Sequence, residues 1–196
     1  MQRWISPVEL VEKDVTLAPL SQTHETDLRG AVEDGALHQL WYTTIPKPDE
    51  VGREIDRRLA LQAAGSMVPF AIIDRASQKT VGMTTYMNID ALNRRVEIGS
   101  TWMRRSHQRG PWNTQCKFLL LRHAFETLDC LAVELRTHFM NHQSRKAIER
   151  LGAKLDGVLR SHMIMPNGTI RDTAVYSILA GEWPTVKAGL EFRLAR

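Results

Sequence analysis

Arg95-Val-Glu-Ile-Gly-Ser-Thr-Trp-Met103, Arg104-Arg-Ser-His-Gln-Arg-Gly-Pro-Trp112 and Asn113-Thr-Gln-Cys-Lys-Phe-Leu-Leu-Leu-Arg-His-Ala-Phe-Glu-Thr-Leu128 run on without a break, and their reading decides the fold. The first piece reads as a strand. Side chains alternate along an extended chain, so Val96, Ile98, Ser100 and Trp102 take one face and Glu97, Gly99, Thr101 and Met103 the other. The second piece is a polar loop with arginines at 104, 105 and 109. The third is the strongest helix pattern in the chain: Asn113 is a favourable N-cap, and Phe118, Leu121, Phe125 and Leu128 recur at helical spacing. A helix start offers N–H groups that no turn satisfies and about half a positive charge, so this junction suits an anion such as phosphate. The bland alternative is a solvated loop with an ordinary cap.

Upstream, three strand-like runs, Val68 to Asp74, Thr80 to Ile89 and Arg95 to Met103, lie on short turn-forming connections and predict an antiparallel meander. Before them come a short strand at Val15 to Leu20, a helix over Ser21 to Asp34 and a helix over Pro48 to Ala64, with Gly65 past its end. Downstream come a strand over Leu131 to Phe139, a capped helix over Asn141 to Leu151, and two strands, Lys154 to Met165 and Thr169 to Leu179. Pro166-Asn167-Gly168 joins those two as a hairpin, and Trp183-Pro184 reads as the close of the last strand. The pattern predicts a mixed α/β domain, one unit over 1–196 with a core of about 13–185 and an extension over 186–196.

The 196 residues carry 43% hydrophobic and 24% charged side chains, an ordinary globular balance that excludes a disordered chain. No apolar run is long enough to span a membrane and the N-terminus has no signal-type run, so a cytoplasmic protein is expected. Cys116 and Cys130 are too few for a disulfide framework and read as small buried hydrophobes. Nineteen arginines to seven lysines and a net charge of +4 permit an anionic partner. Acidic residues are interleaved, however, and no nucleic-acid motif is present, so nucleic acid is not the expected partner. No histidine or cysteine spacing fits a metal.

At the strand, loop and helix, and beyond them, the chain resembles the GNAT N-acetyltransferase superfamily, in its ribosomal-protein (RimJ/RimL-like) branch. The words that carry the resemblance are Glu97-Ile-Gly-Ser-Thr-Trp102, Gln108-Arg109 to Asn113, Leu119-Leu-Leu-Arg-His-Ala-Phe125, Asn141-His-Gln-Ser144-Arg145, Arg150-Leu-Gly-Ala153 and Arg171-Asp-Thr-Ala-Val-Tyr-Ser177, running to Glu182-Trp183-Pro184. They span about residues 13 to 185.

The resemblance implies a twisted, mostly antiparallel sheet of about six or seven strands, helices on both faces, and two parallel strands, 95–103 and 131–139, splayed to admit acetyl-CoA. It implies that Thr101, Trp102 and Met103 lie along the pantetheine arm and that Gln108, Arg109, Gly110, Pro111, Trp112 and Asn113 receive the pyrophosphate. Here the chain departs from the family's glycine-rich pattern: Pro111 has no N–H to give and Trp112 is bulky, so weakened coenzyme binding is expected. Glu97 is implied as the base, Asn141 as a contact of the pantetheine amides, Ser144 as proton donor near the sulfur and Arg145 as a phosphate contact. Tyr176 is a further acid candidate. Trp41, Tyr42 and Tyr86 are candidates for the acceptor side. Each has a plainer reading: Glu97 as an arginine-paired surface group, Asn141 as a simple cap, and Tyr176, Trp41 and Tyr86 as core.

The function so implied is an N-acetyltransferase that moves an acetyl group from acetyl-CoA to a primary amine in a ternary complex, without a metal. The amine is a protein N-terminus, a small amine or an amino acid. A non-catalytic acyl-CoA-binding or sensing protein is the alternative that the altered loop keeps open. Val186 to Leu194 is read as a possible homodimer contact.

Overall fold

The computed structural model describes residues 4–196. Its strands form one sheet in the order β1-β2-β3-β4-β5-β6-β8-β7: β1 Leu10–Val11, β2 Val15–Pro19, β3 Met67–Asp74, β4 Thr80–Asp90, β5 Arg95–Met103, β6 Ala132–His138, β7 Lys154–Ile164 and β8 Ile170–Leu179. All neighbours are antiparallel except β5 and β6. Helices α1 (Glu25–Glu33) and α2 (Val51–Ala63) cover one face, where Leu28, Val32, Val51 and Ile55 pack with Ala71, Met83 and Trp102. Helices α3 (Trp112–Glu126), α4 (His142–Arg150) and α5 (Trp183–Leu194) lie on the other, around Phe70, Tyr86, Val96, Ile98, Leu119, Leu120 and Tyr176. Truncating a fully buried member such as Leu120 to alanine should cost about 2–5 kcal/mol.

The sheet has eight strands, not six or seven. The extra one, β1, pairs only Leu10 with Leu17 and Val11 with Thr16, too short to show a period. Residues 183–194 form a helix instead of closing a strand. Pro184 sits in its first turn, where a missing N–H costs nothing. Trp183 stacks on Phe125 at 5.3 Å and donates to Glu126 at 2.9 Å, which docks the start of this helix on α3. Helix α3 starts one residue early, with Pro111 as N-cap, and Asn113 caps nothing.

The faces of β5 also differ from simple alternation. Gly99 pairs with Thr85 and Trp102 with Met83, three residues against two, and the extra residue is Ser100 at φ +46°. This bulge reverses the faces beyond it. Trp102 therefore joins the α1/α2 side, while Val96, Ile98 and Met103 face α3. The buried Arg58 of α2 holds the bulge, donating to Thr85 Oγ1 at 2.6 Å and to the Ser100 carbonyl at 3.3 Å.

Candidate active site

Strands β5 and β6 pair only at Arg95–Ala132, Val96–Val133 and Glu97–Glu134. Beyond Glu97 and Glu134 no ladder is formed, and the strands run on separately to Met103 and His138. Glu97 thus stands where they part. It is 6% exposed; Asn88 Nδ2 donates to its Oε2 at 2.7 Å and Arg136 Nε lies 3.5 Å from the same oxygen. Burial pushes its carboxyl above the ordinary glutamate value, against the pull of Asn88, Arg136 and Arg171. Arg136 is shared with Glu134, which it meets at 2.7 Å, and Arg95 holds the other oxygen of Glu134 at 2.7 Å. Both readings of Glu97 meet here: it has a cross-strand arginine, and it is buried rather than on the surface.

On the other side of the strands the loop into α3 is braced from within. Gln108 Nε2 donates to the Met103 carbonyl at 2.8 Å, Arg104 pairs with Asp34 at 2.9 Å, and the Trp112 ring lies 4.6 Å from that of His107. Hydrogen bonds from Ser106 and Arg104 hold the Asp34 carboxyl down at about 2. Arg109 sits at φ +67° and, with Gly110 and Pro111, is exposed. No side chain caps α3, and its first internal bond runs from the Gln115 amide to the Pro111 carbonyl. The amides of Trp112, Asn113 and Thr114 therefore open the helix without intrahelical partners. Pro111 removes one donor of the usual four and leaves three. The donor set fits an anionic phosphate: free N–H groups at a fifteen-residue helix, with Arg109 beside them.

Helix α4 opens in the opposite manner. Asn141 caps it, its Oδ1 accepting the Ser144 amide at 3.0 Å. Ser144 is half-buried, and its hydroxyl has no hydrogen-bond partner among the described residues. Arg145, expected at a phosphate, donates to the Tyr176 hydroxyl at 2.9 Å and stacks on Phe139 at 4.5 Å. Tyr176 is wholly buried and donates in turn to Glu149 at 2.9 Å. Burial raises its pKa. The Tyr176 hydroxyl thus lies between Arg145 and Glu149. Tyr86 is likewise wholly buried, its hydroxyl on the Leu120 carbonyl at 2.5 Å.

Trp41 stands on the Glu97 side. It is 49% exposed, edge-on to His138 at 5.3 Å and to Tyr42 at 5.5 Å, and its carbonyl accepts from Asn167 Nδ2. It borders an open cleft of about 640 Å³ that also touches His38, Thr44, Lys47, Arg57 and Asn167.

Four residues escaped the sequence reading. Asn88, Arg136 and His138 converge on this face from different strands, and no spacing in the chain announces that. Lys117 was legible in principle, as a lone charge inside the buried run Cys116 to Leu121. Its Nζ lies 2.6 Å from Thr101 Oγ1 and 3.5 Å from Thr84 Oγ1, and burial lowers it to about 8. Thr101 thus faces Lys117. Among the described residues no group of three metal-ligating side chains occurs, and no helix is long and apolar enough to cross a membrane.

Fold and parted strands together define a class, the acetyltransferase-type α/β domain. The comparisons then give the family: residues 14–154 match the acetyltransferase (GNAT) domain, and the chain belongs to that family. A curated Bacillus subtilis relative, "Putative ribosomal N-acetyltransferase YdaF", is 32% identical over 102 residues, which is 52% of this chain and 55% of that protein. The chain thus matches about half the length of that relative. A GCN5-related N-acetyltransferase from Brucella melitensis superposes with a TM-score of 0.86 at 31% identity, over 97% of this chain and 86% of that one. The microcin C7 self-immunity acetyltransferase MccE, solved in complex with acetyl-CoA and AMP, shares the fold at a TM-score of 0.75 and 17% identity, over 86% of this chain and 93% of that one.

Proposed function

We propose that this protein is an N-acetyltransferase that moves an acetyl group from acetyl-CoA to a primary amine by direct attack in a ternary complex. The observation that carries the reading is the buried Glu97 at the point where β5 and β6 part, one strand away from an uncapped helix start. Acetyl-CoA, the donor of the family, supplies a thioester-activated acetyl group. Its pyrophosphate is assigned to the amides of Trp112, Asn113 and Thr114 with Arg109, and its pantetheine arm to the backbone of Thr101 to Met103 and to Asn141.

The chemistry asks three things of the chain: a neutral amine, a donor for the developing oxyanion, and a proton for the departing thiolate. Glu97 takes the proton of the amine. Its raised pKa makes it a better base than an exposed glutamate, with Arg136 beside it favouring the charged form. The nitrogen forms the new bond to the acetyl carbon, the carbon–sulfur bond breaks, Ser144 Oγ–H gives its proton to sulfur, and the proton taken by Glu97 returns through solvent to the serine oxygen. Tyr176 and Arg145 are left out of the chemistry, since each already holds the other.

The test is release of free thiol from acetyl-CoA in the presence of a panel of primary amines, with wild type and Glu97→Gln. Amine-dependent release that the variant loses supports the reading; tight binding of acetyl-CoA with no release on any amine would replace it by the acyl-CoA-sensing alternative.

A further inference from the structure

Arg58, Asp74, Glu97 and Lys117 are the buried arginine, lysine and carboxylate side chains among the described residues. The first three are answered in kind. Arg58 meets Glu54 at 2.7 Å, Glu97 lies 3.5 Å from Arg136, and Asp74 accepts from the Ala76 amide and the Ser77 hydroxyl. Lys117 forms no ion pair among the described residues. Its ammonium meets two hydroxyls, Thr101 Oγ1 at 2.6 Å and Thr84 Oγ1 at 3.5 Å. Burying an ammonium without a counter-charge costs stability, and its neighbours Cys116 and Phe118 to Leu121 show that this stretch of α3 is otherwise core. A charge kept in the core at such a cost marks a place to look for function.

The hydrogens around Thr101 can be assigned. An ammonium only donates, so Lys117 takes one lone pair of Thr101 Oγ1. Thr84 is wholly buried, and its hydroxyl has the Thr101 oxygen at 2.8 Å as acceptor, which takes the second lone pair. The hydrogen of Thr101 itself is left. Within the described chain it reaches the Gly99 carbonyl at 3.3 Å, long against the roughly 2.7–2.8 Å usual for a hydroxyl donor. A hydroxyl whose oxygen is held by a cation is also a stronger donor than a free one. Thr101 is half-buried and stands on the stretch of β5 beyond Glu97, where pairing with β6 has ended. The Ser100 bulge, which Arg58 holds by the Ser100 carbonyl, turns it to the side of Lys117. A polarised, weakly engaged O–H is thereby set at the opening between the two strands.

We propose that the Thr101 hydroxyl, held by Lys117, donates its hydrogen to the acetyl carbonyl oxygen as negative charge develops there. Thr101 is then a catalytic residue, and Lys117 is a positioning residue that acts through it. The proposal rests on the acetyltransferase reading and supplies the oxyanion donor that Glu97 and Ser144 leave unfilled. No proton leaves Thr101: its hydrogen bond tightens as the carbonyl oxygen gains charge and relaxes when the carbon–sulfur bond breaks. Like Ser144, the pair lies on the coenzyme face and acts on the reacting group. A donor of this kind is felt in the transition state more than in binding, so kcat registers its loss and acetyl-CoA affinity does not.

The experiment measures thiol release with glycinamide, or with whichever amine of the panel gives release, in wild type, Thr101→Val, Thr101→Ser, Lys117→Met and the double variant Thr101→Val with Lys117→Met. Calorimetry gives acetyl-CoA affinity, and thermal melting reports folding. Thr101→Val should lose about a hundredfold or more in kcat, as for other lost oxyanion donors, with acetyl-CoA affinity within about threefold of wild type. Thr101→Ser, which keeps the hydroxyl, should stay within about threefold in kcat. Lys117→Met should lose about tenfold or more in kcat, the charge assistance being gone, while melting no lower than wild type. The double variant should match Thr101→Val within about twofold, because Lys117 then has nothing to act through. Full kcat in Thr101→Val or Lys117→Met, or a Thr101→Ser as slow as Thr101→Val, overturns the proposal and leaves the acetyltransferase reading in place. Should Thr101→Val fail to fold, Lys117→Met decides. A second readout needs no turnover: in the infrared difference spectrum of bound, isotope-labelled acetyl-CoA, the carbonyl stretch should lie lower in wild type than in Thr101→Val and Lys117→Met. If no amine supports release, the acetyltransferase reading fails by itself and this band decides, an unmoved stretch overturning the proposal. No binding of acetyl-CoA to wild type overturns both.

Discussion

Where β5 and β6 part, the face under α3 and α4 and the face under α1 and α2 are made of different materials. The first is apolar core edged by two helix starts, one with its amides open behind Pro111 and one closed by its own Asn141. The second gathers Glu97, Glu134, Arg136, Arg171 and His138 around the parting. A helix start that the chain leaves uncapped keeps its donors for an outside anion, whereas a cluster of ionisable side chains can move protons. The comparison supports the proposed division of labour, with backbone groups on one face for the coenzyme and side chains on the other for the amine. Substitutions on the two faces should therefore change different quantities.

The largest effect is expected from Glu97→Gln. Loss of a general base lowers kcat by about 10²–10⁴-fold, while acetyl-CoA affinity by titration calorimetry stays within about twofold, the approach to the thioester being untouched. The wild-type pH–rate profile should rise through an ionisation above the ordinary glutamate value, because burial holds the Glu97 proton more tightly. A variant that loses coenzyme affinity and turnover alike would break the division.

Next comes Lys117, a cation inside the apolar face. Its pKa is about 8 when folded and near 10.5 when exposed. Between those values the unfolded chain holds the proton that the folded chain has released, so wild-type stability rises with pH across that window, and below it the buried charge is carried at full cost. Lys117→Met should then stabilise the protein by up to about 3 kcal/mol at pH 7, since each pKa unit is about 1.4 kcal/mol. The gain should shrink as pH climbs past 10. Thr84 and Thr101 remain paired at 2.8 Å without the lysine. Denaturant titrations of both proteins at pH 7 and pH 10.5 check this; a loss of stability at pH 7 would show that the threonine contacts outweigh the burial of charge.

A smaller effect belongs to Pro111→Gly, which restores a fourth N–H to the open helix start. A hydrogen bond to a charged group contributes about 1.5–3 kcal/mol, part of it offset by the flexibility of glycine, so acetyl-CoA should bind several-fold to tenfold more tightly with kcat little changed. The smallest is Asn141→Ala at the closed start: about 1 kcal/mol of stability, as for other lost caps, with a modest rise in KM for acetyl-CoA. Together the two sharpen the contrast between an open and a closed start.

Most of the layout was legible because each main element carries its own period and its own punctuation. The meander, the hairpin turn at Pro166-Asn167-Gly168 and the helix ahead of Gly152 were of this kind. What escaped had no local signature. The β1 strand is two residues long. In α5 only Trp183 and Leu190 are buried, so no apolar stripe marks it. The face reversal at Ser100 follows from one residue in a left-handed conformation, and serine does not announce it. For the site, Glu97, Asn141 and Ser144 lie in words that the family resemblance makes visible. Asn88, Arg136, Arg171 and His138 become neighbours only when four strands are laid side by side, and the hydroxyl partners of Tyr86 and Tyr176 lie far from them along the chain.

The division between the two faces is tested most directly by calorimetric titration of acetyl-CoA into wild type and Glu97→Gln, paired with thiol release on glycinamide from the same preparations. The expected result is equal binding in both proteins, in the micromolar to tens-of-micromolar range, about 6–8 kcal/mol of binding free energy, with release in wild type alone. No binding to wild type up to millimolar acetyl-CoA, or undiminished release by the variant, would contradict it.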